Sequence, residues 1–239
     1  MSYQALPLPV LAAAERPPVP AYPARHPGPP QPAALPWPLK PLGSARFGVD
    51  RLADGRTRYW IRHEVLRGVS PRMLAWWFAH LEGEVEVDGR RVDRYRAWHP
   101  YDHVHASYAK RLPDGSVGPG AVIRLKEFLG ANRRFEVDIE TRIEKLDEEG
   151  FIHNPVVHGI SGLARMEYTF RAVPDGTLYE NCLVIGTRRG VARLLQPLVL
   201  RLAFPAGKGE AWLRHNVEEV GMLEHFLPGL YRQETGRQD

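Results

Sequence analysis

The stretch WLRHNVEEVGMLEHFLPGLY, residues 212–231, lies near the end of a 239-residue sequence and decides how the rest is read. Its apolar residues form the stripe of an amphipathic helix, expected from about Glu210 to Phe226. On such a helix, residues i and i+4 point in nearly the same direction. His215 and Glu219 can therefore place a nitrogen and a carboxylate oxygen on one ion. An HxxxE pair alone is more often solvated or merely hydrogen-bonded, so it needs partners elsewhere in the chain.

Upstream of this helix the pattern is that of a sheet. GSARFGVDRLADGRTRYWIRHEVL reads as a strand pair turning at Asp54-Gly55, followed by Ser70 as an N-cap and Pro71 in the first turn of a helix, PRMLAWWFAHLE. Met73, Trp76, Trp77 and His80 share helical spacing there and predict core packing against a sheet. From residue 84 to 187 short β-like segments alternate with Asp-Gly turns at 88, 114 and 175 and an EEG turn at 148–150. This is an antiparallel meander, unlike the strand and helix alternation of a parallel sheet. The apolar segment VARLLQPLVLRLAFPAGKG, with Arg193, Pro197 and Arg201 inside it, predicts a buried helix or a subunit contact, which allows a homodimer. The expected class is α+β: a curved antiparallel sheet wrapped around a long C-terminal helix, with a cavity between them.

Residues 1–42 contain PPVPAYPARHPGPPQPAALPWPLKP, where proline obstructs both helices and sheet ladders, and predict an extended or disordered arm. Residues 43–239 are expected to form one domain. The 44% hydrophobic and 25% charged composition permits a real core. A net charge of +4 and a pI near 9.3 arise from interspersed residues, without a recognised nucleic-acid motif, so nucleic acid is not an expected partner. The basicity favours anionic or phenolate ligands. The start has no basic region before its apolar run, and no run reaches the ~18 residues of a membrane span, which predicts a cytoplasmic location. A lone Cys182 excludes an intramolecular disulfide and a thiolate-rich zinc site, leaving His and carboxylate as the main metal donors.

Such donors occur in YRAWHPYDHVHASY, which holds His99, Asp102, His103 and His105. Strand alternation would let His103 and His105 point together, with Trp98 and Tyr101 as an aromatic wall. Glu127 sits amid Val122, Ile123, Leu125, Phe128 and Leu129, where a carboxylate is costly to bury without a cation. Glu136, Glu140 and Glu144 instead alternate as a solvated sheet face.

The MLAWWF helix, Tyr95 with WHPYDH, Glu127 with the following LG, LDEEG, and WLRHNVEEVGMLEHFLPGLY together resemble the zinc-dependent 2,4-diacetylphloroglucinol (DAPG) hydrolases, over roughly residues 44–232. The resemblance implies a Bet v 1-like helix-grip fold and a Zn2+ ion held by His103, Glu127, His215 and Glu219. It implies Tyr95 as a hydrogen-bond partner of a substrate hydroxyl and Tyr168 as a second such group. Where the family has a polar, asparagine-like residue three positions after the first metal histidine, this chain has Ala106, so one substrate contact is missing. The implied activity is hydrolysis of the C–C bond between an acyl group and a polyhydroxylated ring, with an acylated phenol as small-molecule substrate and a carboxylic acid as product. His99, His105 or a water are the candidates for protonating the ring carbon. The alternatives are a metal-free helix-grip protein that binds an aromatic or hydrophobic small molecule without turnover, and a mononuclear iron oxygenase. Two carboxylates speak against the usual two-histidine, one-carboxylate iron set.

Overall fold

The computed structural model describes residues 31–156, 159–187, 201 and 204–237. Its sheet is built by the turns read from the sequence. Strands β1 (Arg46–Arg51) and β2 (Thr57–Arg62) meet antiparallel, with Gly55 in the left-handed conformation at their turn. A small separate hairpin, β4 (Glu84–Val87) and β5 (Arg90–Asp93), turns at Asp88 and Gly89, both at positive φ as a tight type I′ turn requires. Strands β8 (Glu136–Asp147) and β9 (Gly150–Val156) join where Asp147 Oδ1 accepts the Glu149 and Gly150 amides at 2.9 and 3.1 Å. Strands β10 (Ala164–Val173) and β11 (Gly176–Ile185) turn at Asp175-Gly176. A Cβ at Gly176 would lie 2.0 Å from the Leu66 carbonyl oxygen, so no other residue fits there.

With β3 (Leu66–Arg67), β6 (His103–Lys110) and β7 (Val122–Phe128), these strands make one nine-stranded antiparallel sheet in the order β1-β2-β11-β10-β9-β8-β7-β6, with β3 added beside β11. The fold is the α+β helix-grip expected. Helix α1 (Pro71–Ala79) is capped by Ser70 Oγ, which accepts the Met73 amide at 3.2 Å. It buries Met73, Leu74, Trp77 and Phe78. The expected stripe is only half right: Trp76 is half-buried and His80 is exposed, the two stacked on each other at 4.5 Å. A short helix α2 (Arg94–Trp98) leads into β6.

The last helix, α3 (Lys208–Thr235), is longer than its expected span and runs through Pro228. Proline removes one intrahelical bond at a cost of about 3 kcal/mol. Beyond it, Leu230 and Tyr231 continue the buried stripe, and their burial outweighs that loss. At its start α3 lies so close to β2 that a Cβ on Gly209 would sit 2.3 Å from the Tyr59 ring.

Of the proline-rich arm, residues 31–42 are described. Leu35, Trp37, Leu39 and Leu42 pack on the core, Trp37 stacks on His225 of α3 at 5.2 Å, and Lys40 pairs with Glu224 at 2.9 Å. Residues 1–30, and most of the segment between Val191 and Gly209 expected to form a buried helix or subunit contact, lie outside the described residues. Among the described residues no helix is long and apolar enough to cross a membrane.

Candidate metal centre

Two neighbouring strands and one helix converge on the site. His103 and Glu127 face each other across the β6–β7 ladder, while His215 and Glu219 lie one turn apart on α3. His103 Nε2 lies 3.8 Å from Glu127 Oε1 and 3.3 Å from Glu219 Oε2. His215 Nε2 lies 3.8 Å from Glu127 Oε2 and 3.5 Å from Glu219 Oε2. All four side chains predicted from the resemblance are thus brought together. Donor atoms of His103, Glu127 and His215 lie within 4.8 Å of one another, as a shared ion requires.

The shared face expected of His103 and His105 is not observed. A bulge between the two residues breaks the alternation, leaving His103 fully buried and His105 exposed. An extra residue in β6 turns one histidine inward and the next outward.

Each inward histidine is held from behind. His103 donates Nδ1–H to the Tyr95 carbonyl oxygen at 2.7 Å, and His215 donates Nδ1–H to Asp102 Oδ2 at 2.9 Å. Both bonds aim Nε2 at Glu127 and Glu219, where a metal would take its lone pair in place of a proton. His103 Nε2 is buried without a hydrogen-bond partner, a state that normally costs free energy and that a cation removes. Burial opposes charge on both His215 and Glu219, yet their mutual attraction wins. Glu219, with His103 also helping, is held down at about 2, and Glu219, Asp102 and Glu127 raise His215 well above its usual range. The donor set, two imidazoles and two carboxylates in a buried pocket, fits a divalent ion of the zinc type.

Tyr95 touches the centre three times. Its carbonyl holds His103, its ring stacks on that imidazole at 3.8 Å, and its hydroxyl donates to Glu127 Oε1. Burial and then Glu127 push its pKa well above the usual phenol value, so it stays a donor.

The centre opens on a cavity of about 200 Å³. Tyr95, Glu127, His215 and Glu219 border it, and Tyr168, Trp98, Asn216 and aliphatic residues of β7, β8 and β11 complete the wall. Burial, then Glu219, raises the Tyr168 pKa well above its usual range. Neither His99 nor His105 borders this cavity. The wall histidine outside the donor set is His153 on β9, which the sequence reading passed over; it is hydrogen-bonded through Nδ1 to Thr141 Oγ1 at 2.6 Å. The signal that would have marked it is an inward parity on β9, where Phe151, His153 and Pro155 alternate with Ile152 and Asn154.

A family model described as DAPG hydrolase PhiG domain matches residues 43–146, a span that contains His103 and Glu127 but ends before His215 and Glu219. No curated protein matches. Among solved structures, Ara h 8.0201 is similar at 12% identity, covering 72% of this chain and 100% of its own, with a TM-score of 0.40. A START superfamily protein from Mycobacterium smegmatis is similar at 14% identity, covering 69% of this chain and 97% of its own, with a TM-score of 0.39.

Proposed function

We propose, from the premise that this chain is related to the DAPG hydrolases through its domain at residues 43–146, that it is a zinc-dependent hydrolase of the C–C bond between an acyl group and a polyhydroxylated aromatic ring. The observation that carries this reading is the convergence of His103, Glu127, His215 and Glu219, from three separate elements, with the last three bordering an apolar cavity. The proposed ligands are those four residues. When bound there, a divalent ion polarises an acyl carbonyl and acidifies a water, bringing its pKa from about 15.7 towards ~7.

The rest is the work of the chain itself. Water adds to the acyl carbon, the bond to the ring breaks, and the ring in its keto form accepts the electron pair as an enolate before its carbon is protonated. Tyr168 would donate a hydrogen bond to a ring hydroxyl, and the Tyr95 oxygen, whose own proton goes to Glu127, would accept one, which together would orient the ring toward the proposed ligands. Burial holds the His153 pKa down at about 3, so its imidazole is neutral near neutral pH and offers one donor and one acceptor. With Thr141 behind it at Nδ1, His153 is suited to hold a ring hydroxyl through Nε2. The aliphatic wall excludes bulk water from the enolate.

The test is elemental analysis of the purified, zinc-supplemented full chain, followed by a screen of acylated polyphenols for release of a carboxylic acid. One zinc per chain and cleavage of at least one acylphenol are expected, and His215→Ala should abolish both. Substoichiometric zinc with aromatic ligands bound but unchanged would establish the non-catalytic binding protein instead. Stoichiometric metal and unaltered turnover in His215→Ala would remove α3 from the site.

A further inference from the structure

The carboxylate of Asp102 is fully buried, stands next to His103 in sequence, and belongs to none of the proposed ligands. It accepts three hydrogen bonds: Oδ2 takes the Gly130 amide at 2.8 Å and His215 Nδ1–H at 2.9 Å, and Oδ1 takes the Ala131 amide at 2.9 Å. Its backbone is engaged too. The Asp102 carbonyl accepts the Phe128 amide at 2.9 Å, and its own amide donates to His99 Nδ1 at 3.1 Å. One residue, immediately before His103, therefore touches the strand end that carries Glu127, the helix that carries His215, and His99 at the end of α2.

The chain accepts local strain for these bonds. Gly130 and Ala131 both have positive φ, at 65° and 52°, a conformation that costs a residue with a Cβ roughly 1–2 kcal/mol. It turns two consecutive amides onto a single carboxylate.

We propose that Asp102 is the positioning residue of the centre: it fixes His215 in the form protonated at Nδ1, holding Nε2 on the ion, and ties the end of β7 to α3 so that Glu127 and His215 keep their spacing. This rests on the metal reading above. His103 is oriented by a neutral carbonyl, so Asp102 supplies the one charged acceptor behind a ligand imidazole. The same geometry argues against a second ion among His99, Asp102 and His215, which also lie close enough to share one. His99 Nδ1 is occupied by the Asp102 amide, so its Nε2 carries the proton and donates to Glu218 Oε2 at 3.1 Å. Asp102 is already spent on N–H donors.

Asp102→Asn keeps the shape and removes the charge. Competition against a chromophoric chelator on the full chain should show zinc affinity of the folded fraction falling 10- to 100-fold. A role confined to holding the β7 turn would lower the melting temperature of the metal-free variant and leave that affinity unchanged; this outcome would overturn the proposal. So would a second zinc per wild-type chain. Should the variant not fold, nitrogen NMR of the wild type decides: His215 Nδ1 bears a proton with and without zinc, and a bare Nδ1 in the loaded chain refutes the assignment. A wild-type chain that takes up no zinc would defeat the metal reading instead, while a strongly downfield Nδ1 proton on metal-free His215, the mark of a bond to a carboxylate, or its absence would still decide the place of Asp102.

Discussion

Burial of an imidazole in the cavity wall sets an acid limit on the fold. His153 is only 4% exposed, and burial lowers its pKa to about 3, against an unfolded value of about 6.5. The unfolded chain binds that proton more readily, so stability rises with pH between these two values and is lost as pH falls through them. At about pH 5 this single group costs about 2 kcal/mol. The denaturant midpoint should therefore fall between about pH 7 and about pH 5, and fall less in His153→Gln; identical slopes in the two proteins would show that His153 is not the titrating group. At this scale the sequence was partly legible. The i,i+4 spacing flagged His215 and Glu219, and the apolar setting of Glu127 flagged a carboxylate that needs a cation. Asp102 was noted only as one donor in a histidine cluster and His153 was passed over, because a buried role made of backbone amides or strand parity leaves no mark in residue identity. The bulge between His103 and His105 was equally silent, since a register slip depends on the partner strand.

Elements follow local chemistry where it is strong and tertiary packing where it is not. Ser70 and Pro71 start α1, and the Asp-Gly pairs place the turns, because cap and turn conformations are set by one or two residues. The end of α3 was misplaced for the opposite reason. Pro228 reads as a stop, and only the contacts of Leu227, Leu230 and Tyr231 with the core carry the helix past it. Leu227 is wholly buried, so Leu227→Ala should cost about 2–5 kcal/mol, measured by chemical denaturation. A loss below about 1 kcal/mol would mean that this part of the helix is not docked as described.

Over the whole molecule, the arm and the sheet meet on α3. Deleting residues 1–40 removes the Trp37 stack and the Lys40–Glu224 pair but none of the sheet. We expect such a chain to unfold cooperatively at a melting temperature several degrees lower, with Trp37→Ala reproducing most of the drop in calorimetry; insoluble protein would make residues 31–40 part of the domain. The proline content marked the arm as extended, whereas its seating on α3 depends on one tryptophan and one lysine that composition does not single out. The placement of the donors has its own consequence for biosynthesis. Half of the proposed grip, His103 and Glu127, sits on paired strands that a ribosome makes early, and half, His215 and Glu219, on a helix made after the remaining strands of the sheet. A nascent or truncated chain can hold the ion only weakly until that helix is released and seated. On the proposed reading, loading of the centre reports that this helix has been made and seated, because an ion that prefers the folded arrangement stabilises it by mass action.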